Sequence, residues 1–228
     1  MPTAHATVLG EVGPRIVRGD LVEGAVITPD WIGETYGVSR TVAREVVQVL
    51  VSMGPVESRR RTGIRILPRA QWDDYDPAII RWRLDGVHRL RHLHELAELR
   101  AAIEPASAAL AATHADAEQR AEIVRIAEQM EVSGAAGDLQ TFLEQDIEFH
   151  RLLLRASGNV MFSGLGDVVE GVLRGRTEHD LMPKQPKRGG PPAPPVVAEA
   201  VAGGEADVAR YAMTAIVAEV VSDLGHPR

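Results

Sequence analysis

The chain has 228 residues, a quarter of them charged, a formal net charge of -7 at pH 7 and no cysteine. That length suits two compact domains of about 100–150 residues each, and the missing thiols exclude disulfides, thiolate zinc sites and cysteine nucleophiles. The amino end lacks a basic flank followed by an apolar stretch, and no run of roughly 18 apolar residues occurs, so a soluble, cytoplasmic protein without a membrane partner is expected.

Taken in chain order, turn signals such as Gly19-Asp20, Gly37, Gly54-Pro55 and Thr62-Gly63 cut the first 70 residues into short pieces. The pattern predicts helices over residues 8–17, 30–36 and 40–53, the third capped by Ser39. Two short strands follow, over 56–58 and 64–67, around a turn at 60–63. Three helices and a hairpin make a winged helix-turn-helix over residues 1–70. Charge is concentrated here: residues 36–69 hold seven arginines against Glu45 and Glu57, or +5, which leaves -12 for the rest of the chain. A basic end on an acidic body suits a protein that touches phosphate with one end only.

Residues 71–86 read as a connector rich in acids and aromatics, among them Trp72, Tyr75 and Trp82. Alanine, leucine and helical spacing then dominate, with helices predicted over 77–85, 87–113, 116–133, 139–156, 160–174 and 195–224, the last broken at Gly203-Gly204. Residues 183–195 carry six of the fourteen prolines and two glycines, which predicts a loop or stiff extended segment. The expected fold is mainly α: the winged helix-turn-helix with its small β-hairpin, then an all-α helical bundle over 87–228.

On the third helix Val42, Val46, Val49 and Leu50 are expected on one face, and Arg40, Arg44 and Gln48 on the other. Arginine's fixed fork can pair two acceptors at once, such as O6 and N7 of guanine, so this ridge reads as a recognition helix for the major groove. Arg59-Arg60-Arg61-Thr62-Gly63 places cations at a hairpin tip, where glycine permits close backbone approach to DNA. The competing reading is a solvated basic surface.

In the body, Leu143, Asp146, His150 and Leu153 share one face of the helix over 139–156. A carboxylate and an imidazole aimed inward need a partner: a ligand, a metal or each other, the plainest case being an i, i+4 Asp–His hydrogen bond. His88, His92 and His94 crowd the start of the helix over 87–113 and read as surface residues rather than a metal site.

The stretch Gly37-Val38-Ser39-Arg40-Thr41-Val42-Ala43-Arg44-Glu45, with Leu50 and Thr62-Gly63-Ile64, resembles the winged-helix signature of GntR-type bacterial regulators over residues 8–69. That resemblance implies operator contacts by Arg40 and Arg44, with Gly63 near the minor groove. The resulting DNA-contact set is Ser39, Arg40, Thr41, Arg44, Arg60, Arg61, Thr62 and Gly63. Where the family often has Pro-Ser-Glu-Arg before the second helix, this chain has Ile27-Thr28-Pro29-Asp30.

A second resemblance covers most of residues 87–220. Leu99-Arg100, Ile103-Glu104-Pro105, Asp146-Ile147-Glu148-Phe149-His150 and Ala156-Ser157-Gly158-Asn159 are similar to the helical effector domain of the FadR-like (FCD) subgroup. Many members hold a divalent metal, zinc or similar, through an aspartate and three histidines, and the metal holds a carboxylate effector. Asp146 and His150 align with the first two ligands, but the others fall near Pro194 and at Ile216. The metal set is incomplete, and His179, Glu178 or water would have to complete it. Without a metal an anionic effector needs a guanidinium: Arg100 first, then Arg174 or Arg176. For Arg100 the rival is an i, i+4 salt bridge with Glu104.

The connector aromatics are similar to those of the subgroup's sugar-acid regulators of the galactonate-operon type. The expectation is a homodimeric, operator-binding regulator and not an enzyme, most often a repressor in such families, released by a small anionic metabolite. The alternatives are a metal-dependent hydrolase using Asp146 and His150, and a regulator whose sensor only dimerises.

Overall fold

The computed structural model describes residues 3–59, 63–178 and 194–224. Contacts divide the chain into two compact units, Met1–Arg89 and Leu90–Arg228. Mostly helical architecture with a small sheet in the first unit agrees with the fold class read from the sequence. Among the described residues, no helix is long and apolar enough to cross a membrane.

In the first unit helices α1 (Ala4–Val17), α2 (Pro29–Tyr36) and α3 (Arg40–Ser52) precede strands β2 (Val56–Arg59) and β3 (Gly63–Ile66). Each helix starts on a side-chain acceptor: Thr3 takes the Ala6 N–H, Thr28 that of Trp31 and Ser39 that of Val42. Strand β1 (Val26–Ile27), two residues long, was not expected; it pairs antiparallel with β3 and gives the sheet order β1-β3-β2. Helix α3 turns Ala43, Val46, Val47 and Leu50 into the core. The expected ridge was slightly rotated, since Val42 and Val49 are only half-buried. Ile32, Leu50, Ile64 and Ile66 join Val12 and Ile16 in one apolar cluster.

Helix α4 (Pro77–Leu84), capped by Asp76, places Ile79 and Trp82 in that same cluster, so the connector expected over 71–86 contributes core to the first unit. Gly13 on α1 lies against Trp82, and a Cβ there would come within 2.2 Å of the indole ring. Trp72 donates its Nε1–H to the Leu67 carbonyl at 3.0 Å, and the Arg69 guanidinium lies over its ring at 4.9 Å.

The second unit comprises α5 (Arg89–His114), α6 (Ala117–Ala136), α7 (Leu139–Ala156), α8 (Val160–Ser163), α9 (Gly166–Glu178), α10 (Pro194–Gly203) and α11 (Ala206–Leu224). A capping box at Asp116 and Gln119 starts α6. The single helix expected over 160–174 is two, α8 and α9, separated at Gly164-Leu165. Alanines and valines of α5, α6, α10 and α11 pack with Phe149 and Leu153 of α7 in the main core, beside a smaller cluster of Leu143, Ile147, Leu154, Val169 and Leu173. Arg120 joins helix ends: it donates to the carbonyls of Ala112 and Ala115 near the end of α5, and of Val201 and Ala202 near the end of α10. A guanidinium at helix C-termini satisfies orphan carbonyls and opposes the negative end of the dipole.

Candidate nucleic-acid interface and buried charge cluster

On α3, Ser39 spends its hydroxyl on the helix start, while Arg40, Thr41, Arg44 and Gln48 are exposed. Arg44 and Gln48 line an open groove with Pro29, Arg59 and Gly63, so the helix and the base of the hairpin face one concavity. Gly63 has φ +107, and a Cβ on it would come within 2.7 Å of the Ile27 carbonyl oxygen. Only glycine fits there, because the backbone conformation and the proximity of β1 both exclude a side chain. Arg59 donates its Nε–H to Glu57 at 2.7 Å, and Arg40 Nε lies 2.9 Å from Asp30 Oδ1. The remaining wing residues of the expected contact set, Arg60, Arg61 and Thr62, lie outside the described residues.

In the second unit, α5 and α7 bring four charged or titratable side chains together. Arg100 binds Glu104 twice, Nε to Oε1 at 2.6 Å and Nη2 to Oε2 at 3.1 Å. Across the helix pair, Arg100 Nη2 is 3.2 Å from His150 Nε2. His150 Nδ1 is 3.0 Å from Glu104 Oε2, and its Nε2 is 3.3 Å from Asp146 Oδ1. Arg100, Glu104 and His150 are each 3% exposed or less.

Burial works against the charged form of His150, yet Glu104, aided by Asp146 and opposed by Arg100, pushes it up to about 9. Burial likewise opposes Glu104, but Arg100 and His150 bring it down to about 2. Arg100 is raised by Glu104 despite its burial. Arg100 Nη1 is buried and has no hydrogen-bond partner among the described residues.

Asp146 and His150, aligned with metal ligands, thus sit beside Arg100 and Glu104. These residues do not fit a divalent cation: a guanidinium nitrogen stands 3.2 Å from the His150 nitrogen a metal would need. Among the described residues no group of three or more His, Cys, Asp or Glu is placed to hold a metal. Pro194 and Ile216 supply no ligand, His179 lies outside the described residues, and nothing is described of the Glu178 side chain.

Arg174 is bound elsewhere, bidentately to Glu144 at 2.9 Å and to Glu170 at 2.6 Å. Arg176 is buried. His92, expected at the surface, is instead 3% exposed, with Nδ1 3.3 Å from Glu95; His88 is exposed as expected. Glu104 was foreseen as a partner of Arg100 but not of His150. The i, i+4 spacing signals the first contact, whereas only packing of α5 on α7 produces the second.

Residues 5–66 match the family described as bacterial regulatory proteins, gntR family, and residues 95–219 match the FCD domain. The chain is 28% identical over 172 residues to the galactonate operon transcriptional repressor of Escherichia coli K12, covering 75% of this chain and 74% of that one. It is 28% identical over 163 residues to the HTH-type transcriptional regulator YieP of the same organism, covering 71% of each. A probable D-xylose utilization operon transcriptional repressor of Paenarthrobacter nicotinovorans is 26% identical over 217 residues, 93% of this chain and 84% of that one. Among solved structures, Lar, which controls the expression of the Listeria monocytogenes agr system, shares the fold, with a TM-score of 0.58, 17% identity and coverage of 98% and 97%.

Proposed function

The chain belongs to the GntR family of bacterial regulatory proteins, with an FCD domain behind its winged helix, and from that premise we propose that it is a cytoplasmic, homodimeric repressor whose operator affinity a small carboxylate metabolite controls. The observation that carries the DNA half is the groove between α3 and the hairpin, where Arg44, Gln48, Arg59 and Gly63 converge on exposed surface. Backbone phosphate takes the arginines' charge, and base edges take their forks. Two copies read a two-fold-symmetric site, as helix-turn-helix dimers do.

The effector half is supported by the buried cluster. Arg100 presents Nη1 with no protein partner, and a carboxylate is the acceptor that suits a guanidinium. Asp146 and His150 sit beside it and supply an acceptor and a donor for hydroxyl groups. Two relatives carry names of a galactonate operon and a D-xylose utilization operon, which favours a sugar-derived acid as the effector. Hydrolysis through a metal is disfavoured, since Pro194 and Ile216 stand where two of the ligands would be and the Arg100 guanidinium faces His150 Nε2.

Gel shift on the protein's own upstream DNA, with and without a panel of aldonates and dicarboxylates, tests both halves. Arg44→Ala weakens the shift by about tenfold or more. The active acid releases the DNA and raises the melting temperature by mass action, and Arg100→Lys abolishes that response. A shift unaffected by Arg44→Ala removes the DNA assignment. A wild-type protein whose melting responds to no acid leaves a sensor that only dimerises.

A further inference from the structure

Arg40 and Arg44 stand one turn apart on the exposed face of α3 and are held differently. Arg44 makes no ion pair among the described residues, whereas Arg40 Nε lies 2.9 Å from Asp30 Oδ1. Asp30 belongs to the first turn of α2 and Arg40 begins α3, so the contact ties the two helices of the helix-turn-helix at their amino ends. Asp30 follows Pro29, which lines the groove with Arg44 and Gly63. The two side chains are 79% and 58% exposed, and an ion pair so solvated adds only about 0–1 kcal/mol to stability. Its effect is directional instead.

The closest approach of the Asp30 carboxylate is to Nε, at the side of the guanidinium, whereas the two terminal nitrogens form the fork that matches guanine O6 and N7 in the major groove. Holding the side chain in advance also reduces the rotamer freedom that must be lost on binding. An anion at the groove rim carries a cost as well, because it repels the phosphate backbone wherever Arg40 is not positioned to offset it.

We infer that Asp30 is a specificity-determining residue of the operator-binding surface: it positions Arg40 to read a guanine and discourages sequence-independent approach. This inference rests on the operator-binding reading above. It divides the labour on α3, with Arg40 held for base discrimination while Arg44 makes no ion pair among the described residues.

Selection from a randomised duplex DNA library with the full-length protein tests it, using wild type, Asp30→Asn, Asp30→Ala and Arg40→Ala in parallel. The wild type enriches a site with a guanine in each half. Both Asp30 variants bind the unselected library as well as the wild type or better, but prefer that guanine about two- to fivefold less. Arg40→Ala loses preference at the same position. Asp30→Asn melts with the wild type, since Thr28, not Asp30, caps α2. Asp30 variants that keep the guanine preference, or that lose a different position from Arg40→Ala, overturn the inference. A wild-type protein that enriches no sequence overturns the operator-binding reading itself, a result that cannot be confused with the other two.

Discussion

Arg100 and His150 approach to 3.2 Å with the carboxylate of Glu104 lying against both, 2.6 Å from one and 3.0 Å from the other. A buried guanidinium without its carboxylate is an uncompensated charge, so Glu104 is the residue on which the cluster depends. Glu104→Gln is therefore expected to cost about 3–5 kcal/mol, the range seen when one partner of a buried ion pair is removed. The exposed Arg155–Glu148 pair is the control, since Glu148→Gln there costs less than about 1 kcal/mol. Urea unfolding of both variants decides the matter, and comparable losses would remove the special role of Glu104.

The raised His150 gives stability an alkaline limb. Below its ordinary pKa of about 6.5 both folded and unfolded chains hold the proton, and the cluster contributes in full. Above that, the unfolded chain releases its proton while the folded chain keeps its own up to about 9, so the contribution fades between these values. Glu104, lowered to about 2, gives the mirror case, its contribution present above about 4.5 and fading as pH falls toward 2. Thermal melting is expected to peak near pH 5–6.5 and to fall by several degrees toward pH 9. His150→Gln should flatten the alkaline fall, and an unchanged slope in that variant would assign the limb to other groups.

Gly63→Ala combines a left-handed backbone with a clash against the Ile27 carbonyl. Strained residues of this kind cost about 1–3 kcal/mol, and here the sheet register that sets the hairpin beside α3 is affected as well. A lower melting temperature together with weakened DNA binding is expected. Full stability with unaltered binding would show that β1 moves aside freely.

Arg120 holds four carbonyls at the ends of α5 and α10. Truncation to alanine leaves those oxygens to water and removes a favourable charge from two helix ends, at a cost of about 2–4 kcal/mol. Arg120→Lys reaches fewer acceptors and should recover less than half of the loss. Hydrogen exchange should quicken first in α10, and uniform exchange across the second unit would count against a local clamp.

The helices were legible because their signals are local: Ser39 announces the start of α3, and the structure has its side chain accepting from Val42 N–H. The inward direction of Asp146 and His150 followed from helical spacing alone. What escaped was set by distant partners. Strand β1 is only two residues long and exists because β3 lies beside it. His92 is buried beside Leu93 on the inner face of α5, and Asp30 meets Arg40 only because Gly37 turns α2 back toward α3. The wing arginines were found by composition, but Arg60 and Arg61 lie outside the described residues.

The indole of Trp82 against Gly13 sets a rule for anyone grafting a new sensor onto this DNA reader. A fragment ended at residue 70 loses Ile79 and Trp82 from the apolar cluster they share with Val12 and Ile16, and uncovers Gly13. The smallest portable reader extends through Leu84, and a chimera is best spliced beyond that point.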